Sequence, residues 1–277
     1  MRSLTIGLVN IDQSELTIAM MENLAGLPKD RWNPQLIVID NGSARAEVDA
    51  LRKWVERNQA RFGDTVLVAT GENLGASGGR NLILQRARGE RILILDNDLL
   101  LPQDFGWLDA LWQDLDDDDQ LAIAGPMLVF ATHPTVVQAV GIGLTKLGRV
   151  GYLYRGDAVD RVPSTPTRVV ASPAACWLMN AAAQRKVGLF PQMYHPMQYW
   201  DVDYCMQLRE AGFAILCDPR IRISHIGNVT TRAHGNREFA RTAVRHGMIF
   251  RERWRHVLQE IDAIDDCDIY WGPIPRP

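Results

Sequence analysis

The sequence predicts an α/β fold, with a mostly parallel central sheet flanked by helices, on three observations. Short apolar runs alternate with segments of helical spacing from residue 4 to residue 100. The runs are rich in Val, Ile and Leu with little polar interruption, as in strands covered on both faces. They end in polar groups, Asn10-Ile11-Asp12, Asp40-Asn41-Gly42-Ser43 and Asp96-Asn97-Asp98. Ligands of parallel sheets bind outside the carboxyl ends of the strands, so these three groups converge on one edge.

The elements follow in order. Leu4 to Val9 is a buried strand, and Ser14 to Leu24 a helix with Ser14 as candidate N-cap. Leu36 to Ile39 is a strand ending in a turn, Ala46 to Arg61 is helical, and Thr65 to Ala69 is a strand. Ser77 to Ala87 is a helix and Arg91 to Leu95 a strand, completing β-α-β-α-β-α-β. Trp107 to Leu115 is an amphipathic helix closed by Asp116 to Asp119, an acidic run read as a solvated loop. Leu121 to Val129 is strand-like. Residues 131–170, with many Gly, Pro and Thr, read as loops and a hairpin that includes Val150 to Tyr154. Helices and strands return over 171–234. Asn236 to Ile261 is a long helix, with Arg on one side and Phe239, Val244, Met248 and Ile249 on another. Asp262 to Pro277 reads as an extended tail on the same compact unit.

Composition narrows the function classes. Hydrophobic residues at 47% and charged residues at 23% suit a soluble chain with a sizeable core. A formal net charge of -3 argues against nucleic acid as partner. No apolar run approaches the roughly 20 residues of a membrane span, and the start of the chain enters a strand pattern without a signal-peptide cleavage site. Cys176, Cys205, Cys217 and Cys267 form no C-x-x-C pair, which suits reduced thiols in a cytoplasmic protein. The sequons at Asn41 and Asn228 are then chance matches.

Four constellations carry candidate chemistry, each beside a structural alternative. Asp96 and Asp98 follow the apolar run Ile92 to Leu95. They supply oxygen ligands for Mn²⁺ or Mg²⁺, or else form a polar turn or helix N-cap. The glycine-rich stretch Asn73 to Asn81 opens a helix. It either admits a phosphate to the helix N-terminus or makes a tight turn. Asp201 and Asp203 stand at a helix start, which the helix dipole alone favours. A carboxylate there also suits a general base for a hydroxyl nucleophile. His225 ends a short β-like run, as a structural histidine or as a ligand.

Together and in this order, the motifs resemble the family 2 glycosyltransferases over about residues 4–228. The resemblance implies the GT-A fold, a Rossmann-like sheet with a C-terminal helical extension. It implies a nucleotide-binding half of about 1–100, an acceptor-binding half of about 101–235, and a helix and tail over 236–277. Asp40-Asn41-Gly42-Ser43 is similar to the turn whose aspartate contacts the nucleotide base. Asn73 to Asn81 is similar to the N-x-G-x-x-x-R-N segment, placing Gly75 and Arg80 near the diphosphate. Asp96-Asn97-Asp98 matches the D-x-D motif, implying metal ligation by Asp96 and Asp98, with His225 as third ligand. The segment around Cys176 and Trp177 resembles the acceptor side, with His195 and Trp200 as further acceptor contacts. Asp201 falls at the catalytic base, and Asp203 orients the helix start or the acceptor.

The implied activity is inverting, metal-dependent transfer from a nucleoside-diphosphate sugar lying across Asn10, Asp12 and Asp40. The acceptor is a saccharide, lipid-linked or small-molecule hydroxyl. Trp200 stands where the family usually has glutamate, and Asn10-Ile11-Asp12 replaces the frequent Thr-Tyr-Asn. Two other readings stand beside this one: a sugar nucleotidyltransferase, for which Leu4 to Gln13 lacks the basic glycine-rich loop, and a non-catalytic nucleotide-sugar-binding or interaction protein. The Arg-rich stretch Arg237 to Arg255 is a solvated face or a homodimer contact, with peripheral contact to anionic lipid as the alternative.

Overall fold

In the computed structural model, which describes residues 1–227 and 236–270, the first-half alternation takes definite bounds. It gives β1 (Leu4–Asn10), α1 (Ser14–Leu24), β2 (Gln35–Asp40), α2 (Arg45–Asn58), β3 (Asp64–Ala69), α3 (Gly75–Leu84) and β4 (Arg91–Leu95). These strands pair in parallel in the order β4-β1-β2-β3. Asn10 lies opposite Asp40 and Leu8 opposite Leu95, so the polar strand ends share one edge, as the alternation predicts. Ser14 is not the N-cap: it is the first residue of α1, buried, and its N–H donates to Glu47 Oε2 at 2.7 Å. The helix start is thus satisfied from α2 rather than by a local hydroxyl.

The second half contributes β5 (Leu99–Leu100), α4 (Gly106–Asp117), β6 (Leu121–Phe130), β7 (His133–Ala139), β8 (Ile142–Leu144), β9 (Val150–Tyr152), β10 (Thr167–Val169) and β11 (Cys176–Asn180). It ends with α5 (Ala181–Val187), α6 (Trp200–Glu210), β12 (Ala214–His225) and α7 (Asn236–Leu258). β11 inserts antiparallel between β4 and β6, and β12 then runs parallel to β6. The region expected as loops holds four short strands, of which β8 and β9 form the hairpin.

Both faces of the sheet are covered. Leu36, Val38, Leu93 and Leu95 join α1, α2 and α4 in one core layer, whereas Ile37, Ile39, Ile92 and Ile94 join α3, α6 and α7 in the other. The period of two divides each strand between two cores, which explains the unbroken apolar runs. At about 1.5–3 kcal/mol per buried aliphatic side chain, this burial outweighs any local propensity in fixing the strands.

Of the apolar face expected on the long helix, Ile249 packs half-buried against the core, but the packed face is centred elsewhere. His246, Phe250, Trp254 and Leu258, spaced by four, are buried, while Val244 is 66% and Met248 60% exposed. Residues two positions from His246 point to the opposite side, where Arg241, Arg245, Arg251 and Arg255 are also exposed. The side chain of Phe239, the sequon at Asn228 and residues 271–277 lie outside the described residues. Among the described residues, no helix is long and apolar enough to cross a membrane. After α7 the chain does not merely trail: Lys146 Nζ donates to the carbonyls of Gln259 and Ile261 at 2.7 and 2.9 Å, and Ile264 N–H donates to Leu144 O. The acidic run is solvated, with Asp116 paired to Arg91 and Asp118 to Arg168. All four cysteines are free thiols.

One buried carboxyl pair gives a stability prediction. Arg220 grips Asp218 through Nε and Nη2 at 2.9 and 2.7 Å and reaches Asp114 Oδ1 at 3.3 Å, leaving the buried Asp114 Oδ2 without a partner. Burial first, and then the charge of Asp218, push the Asp114 carboxyl up to about 6. A raised acid favours the folded state only while protonated, so its contribution is lost as pH rises from about 4 through about 6. Asp114→Asn is therefore expected to gain up to about 2 kcal/mol in urea unfolding at pH 7.5 and little at pH 4. Destabilisation at pH 7.5 would show that the Arg220 contact outweighs the burial cost.

Candidate active site

At the carboxyl edge of the parallel strands lies a cleft of about 550 Å³. It is lined by Val9, Ile11, Asn41, Asn73 and the Asp96–Asp98 turn, together with Tyr152 and the 196–202 segment. Arg80 and His225 also line it, and the 196–202 segment includes Trp200 and Asp201.

The strand ends are locked by one continuous network. Asn10 Nδ2 donates to Asp40 Oδ2 at 2.8 Å, and Ser43 donates to the same carboxylate through Oγ and N–H. Asn97 Nδ2 donates to Thr17 Oγ1 at 2.9 Å, and Thr17 Oγ1 donates to Asn10 Oδ1 at 2.8 Å. Asn10 and Asp40 are thus buried and committed to the turn, and neither lines the cleft. Asp12, exposed and left-handed at φ 49°, accepts from Ala44 N–H and also stands outside the lining.

The glycine-rich segment serves packing more than a phosphate cradle. The N–H groups of Leu74, Gly75 and Ala76 already donate to Asn41 Oδ1, Asn73 Oδ1 and Pro196 O, at 3.0, 2.8 and 2.7 Å. Gly75 has φ +75°, and a Cβ there would lie 2.6 Å from His195 Nδ1. Glycine is required because α3 starts against the His195–Pro196 backbone.

Asp96, Asp98 and His225 come together, with one ligand atom from each lying within 4.8 Å of the others. Topology does this: β5 pairs antiparallel with β12, setting His225 opposite Leu99. His225 Nε2 lies 3.1 Å from Asp98 Oδ1, and Gly227 N–H donates to Asp98 Oδ2 at 3.1 Å. His225 Nδ1 donates to Gln138 Oε1 at 2.7 Å, which directs Nε2 toward the two carboxylates. Burial resists charge at Asp98, but the bond and charge of His225 and the Gly227 N–H hold its carboxyl below the ordinary range. At Asp96, burial raises the carboxyl despite the Arg80 charge, and Asp98 adds to the rise. Burial would lower His225, yet the Asp98 bond and charge raise it. Two carboxylates and an imidazole facing one small space, with a net appetite for positive charge, fit a hard divalent cation. Gln138 gave no signal in the sequence; only β7 pairing with β6 brings it here.

Arg80 is 8% exposed, forms an ion pair with Asp96, donates to Ala76 O at 3.0 Å, and stacks 4.9 Å from the Trp200 ring. Asp201 is in the first turn of α6, half-buried, with Oδ1 accepting from Val202 N–H at 2.9 Å. Burial raises its carboxyl, opposed by nearby amides and Arg80. Asp203 does not reach the cleft. It is fully buried and accepts from Tyr194 Oη (2.7 Å), Trp254 Nε1 (2.9 Å) and Gln207 Nε2 (2.6 Å), with Arg253 Nε at 3.3 Å. It ties α6 to α7.

Of the residues expected on the acceptor side, Trp200 lines the cleft. Cys176 and Trp177 are 1% and 0% exposed in β11, inside the core, because that strand is the antiparallel insertion at the centre of the sheet. His195 is exposed and outside the lining. The sequence reading missed Tyr152, Gln198 and Tyr199, whose positions depend on the hairpin and on two successive left-handed residues, Gln198 (φ 70°) and Tyr199 (φ 62°).

The model for "Glycosyl transferase family 2" matches residues 20–158, half of the chain. No match is found among curated proteins. Among solved structures, the chain is similar to the mannosyltransferase PcManGT from Pyrobaculum calidifontis in complex with GDP-Man and Mn²⁺. The TM-score is 0.63 at 17% identity, covering 94% of this chain and 69% of that one. It is similar also to GalNAc-T7 with UDP, GalNAc and Mn²⁺ (TM-score 0.64, 12% identity, 81% and 44% covered) and to residues 1–349 of S. aureus TarS (0.56, 17%, 82% and 61%). It spans less than two thirds of the last two chains. With the strand-end cleft and this match, the chain belongs to glycosyl transferase family 2 and is a glycosyltransferase of GT-A fold.

Proposed function

We propose that the chain transfers a sugar from a nucleoside-diphosphate sugar to an acceptor hydroxyl in a single inverting displacement that depends on a divalent cation. The observation that carries this is the convergence of Asp96, Asp98, His225 and Asp201 on one cleft at the ends of parallel strands. The complexes of GDP-Man or UDP with Mn²⁺ in structures of the same fold support it.

The nucleotide lies along Val9, Ile11, Asn41 and Asn73, over the turn that Asn10 and Asp40 lock, with Asp12 at its outer end. Asp96, Asp98 and His225 hold Mn²⁺ or Mg²⁺, which supplies Lewis-acid neutralisation of the diphosphate. Arg80 fixes the Asp96 carboxylate and adds a positive charge beside the diphosphate. Asp201 takes the proton of the acceptor hydroxyl as that oxygen attacks C1 on the face opposite the leaving group. Asp203 is a positioning residue: Trp254 and Arg253, two of its four partners, hold the start of α6, and so Asp201, against α7.

The test is release of nucleoside diphosphate from a panel of nucleotide-sugars. Release from one nucleotide family with Mn²⁺ or Mg²⁺, and none in EDTA, is expected. Pyrophosphate production from a nucleoside triphosphate and a sugar phosphate would replace this reading with a nucleotidyltransferase. Binding without any turnover over a broad acceptor panel would leave a nucleotide-sugar-binding protein.

A further inference from the structure

The cleft lining includes residues that the proposed donor site does not use. The hairpin β8–β9 presents Val150 and Tyr152 to the cleft, while Gly151 between them faces away. A Cβ at Gly151 would lie 2.5 Å from Ile264 Cδ1, and one at Gly143 2.7 Å from Ile264 Cγ2. The hairpin is therefore seated directly on the segment after α7, and the glycines permit that approach. Tyr152 leaves 39% of its surface accessible, although most aromatic rings in the chain are buried. Its ring is backed by the Arg155 guanidinium at 5.0 Å, itself anchored 5.4 Å from Phe130 and bonded to Gln138 O at 3.3 Å. Tyr152 and Asp201 line the same cleft, and the phenol, protonated at neutral pH, is a hydrogen-bond donor there.

Polar groups line the same cleft. Gln198 lines the cleft, and its Oε1 is buried without a hydrogen-bond partner. The residue is held at φ 70°, a left-handed conformation that a non-glycine side chain adopts at a cost. Its neighbour Tyr199, also left-handed, is clamped by α7: it packs 5.4 Å from Phe250, and a Cβ at Gly247 would lie 2.9 Å from its hydroxyl. An accessible aromatic ring, a phenolic donor and an unsatisfied carbonyl acceptor in one cleft with a carboxylate match one ligand chemistry. A sugar ring has an apolar C–H face that lies on an aromatic ring and a rim of hydroxyls that pair with the polar groups around it. An acyl chain would leave Gln198 Oε1 unpaired.

We infer that the acceptor group bound here is a saccharide ring seated on Tyr152, with one hydroxyl donating to Gln198 Oε1 and the reacting hydroxyl at Asp201. The inference rests on the glycosyl-transfer reading for the role of Asp201, and it adds the substrate class. The test is saturation-transfer difference NMR on the full chain. The probes are methyl α- and β-glycosides of hexoses, N-acetylhexosamines and 6-deoxyhexoses, with and without nucleoside diphosphate and Mn²⁺. Ring C–H protons of at least one glycoside should receive saturation. Tyr152→Ala and Tyr152→Leu should each weaken its binding about tenfold or more, and Tyr152→Phe by much less. Gln198→Ala should weaken it without changing the saturated ring face. A melting curve for each variant separates this loss from unfolding. If no glycoside binds, or if the Tyr152 variants bind as the parent does, the saccharide subsite is wrong. A nucleotide-induced rise in melting temperature, read on the same samples, reports on the donor reading separately.

Discussion

Asp201→Asn is expected to lower sugar transfer by roughly 10²–10⁴-fold while leaving nucleotide affinity within about twofold. The substitution keeps shape, and an amide oxygen can still accept from Val202 N–H as Oδ1 does. What it removes is proton acceptance at the one carboxylate, among the described residues, that lines the cleft without joining the Asp96–Asp98–His225 cluster. The sign of the pKa shift sharpens this. Burial raises the Asp201 carboxyl, so the ionised form costs the folded state stability above the unfolded pKa. The amide variant should therefore melt no lower than the parent at neutral pH, and lost activity cannot be assigned to unfolding. Because the base works ionised, the rate of the parent should fall as pH drops through this raised pKa. The acidic limb of its pH profile should then lie above the ordinary carboxylate range. Full activity in Asp201→Asn would remove the residue from the role.

Asp98→Ala is expected to reduce metal-dependent nucleotide affinity by about 100-fold or more, beyond the 10–100-fold typical of losing a supporting partner. Asp98 stands at the crossing of three contacts: His225 Nε2, Gly227 N–H and, through its own carbonyl, Ile226 N–H. Asp98→Asn keeps the size and the N–H contact but weakens the charge that draws His225 and a cation. Gln138→Ala provides the graded comparison. It removes only the acceptor that orients His225 and should fall between parent and Asp98→Ala. Equal, full affinity in all three variants would place the cation elsewhere.

How much of this was legible in the sequence follows from what each pattern records. Alternation of apolar runs and helical spacing records which faces need cover, and it located α1, β4 and the polar strand ends closely. It does not record which element supplies the cover. Val244 and Met248 look like a packing stripe, yet α7 turns His246, Phe250, Trp254 and Leu258 inward because the 194–203 segment and the core lie on that side. Cys176 and Trp177 sit within a motif associated with the acceptor, but antiparallel insertion of β11 puts them at the centre of the sheet. Asp203 reads like Asp201 in sequence, two positions apart at a helix start. Helical geometry sends one carboxylate into the cleft and the other into a fully buried set of donors. Asp98 and His225 are separated by 127 residues. Only motif order in the family resemblance implies their pairing, since no local spacing carries it. Tyr152 had no signal, because the hairpin bearing it is aimed by Ile264, far along the chain.

In the proposed mechanism this cleft binds a nucleotide donor through a cation held by Asp96, Asp98 and His225. The most direct measurement is the melting temperature of the parent and of Asp98→Ala across nucleoside diphosphates and nucleotide-sugars, each with Mn²⁺ and with EDTA. A rise is expected for one nucleotide family with Mn²⁺, lost in EDTA and lost in Asp98→Ala, since only ligand bound to the folded state raises stability. No rise with any nucleotide, or a rise equal in EDTA and in the variant, would contradict it.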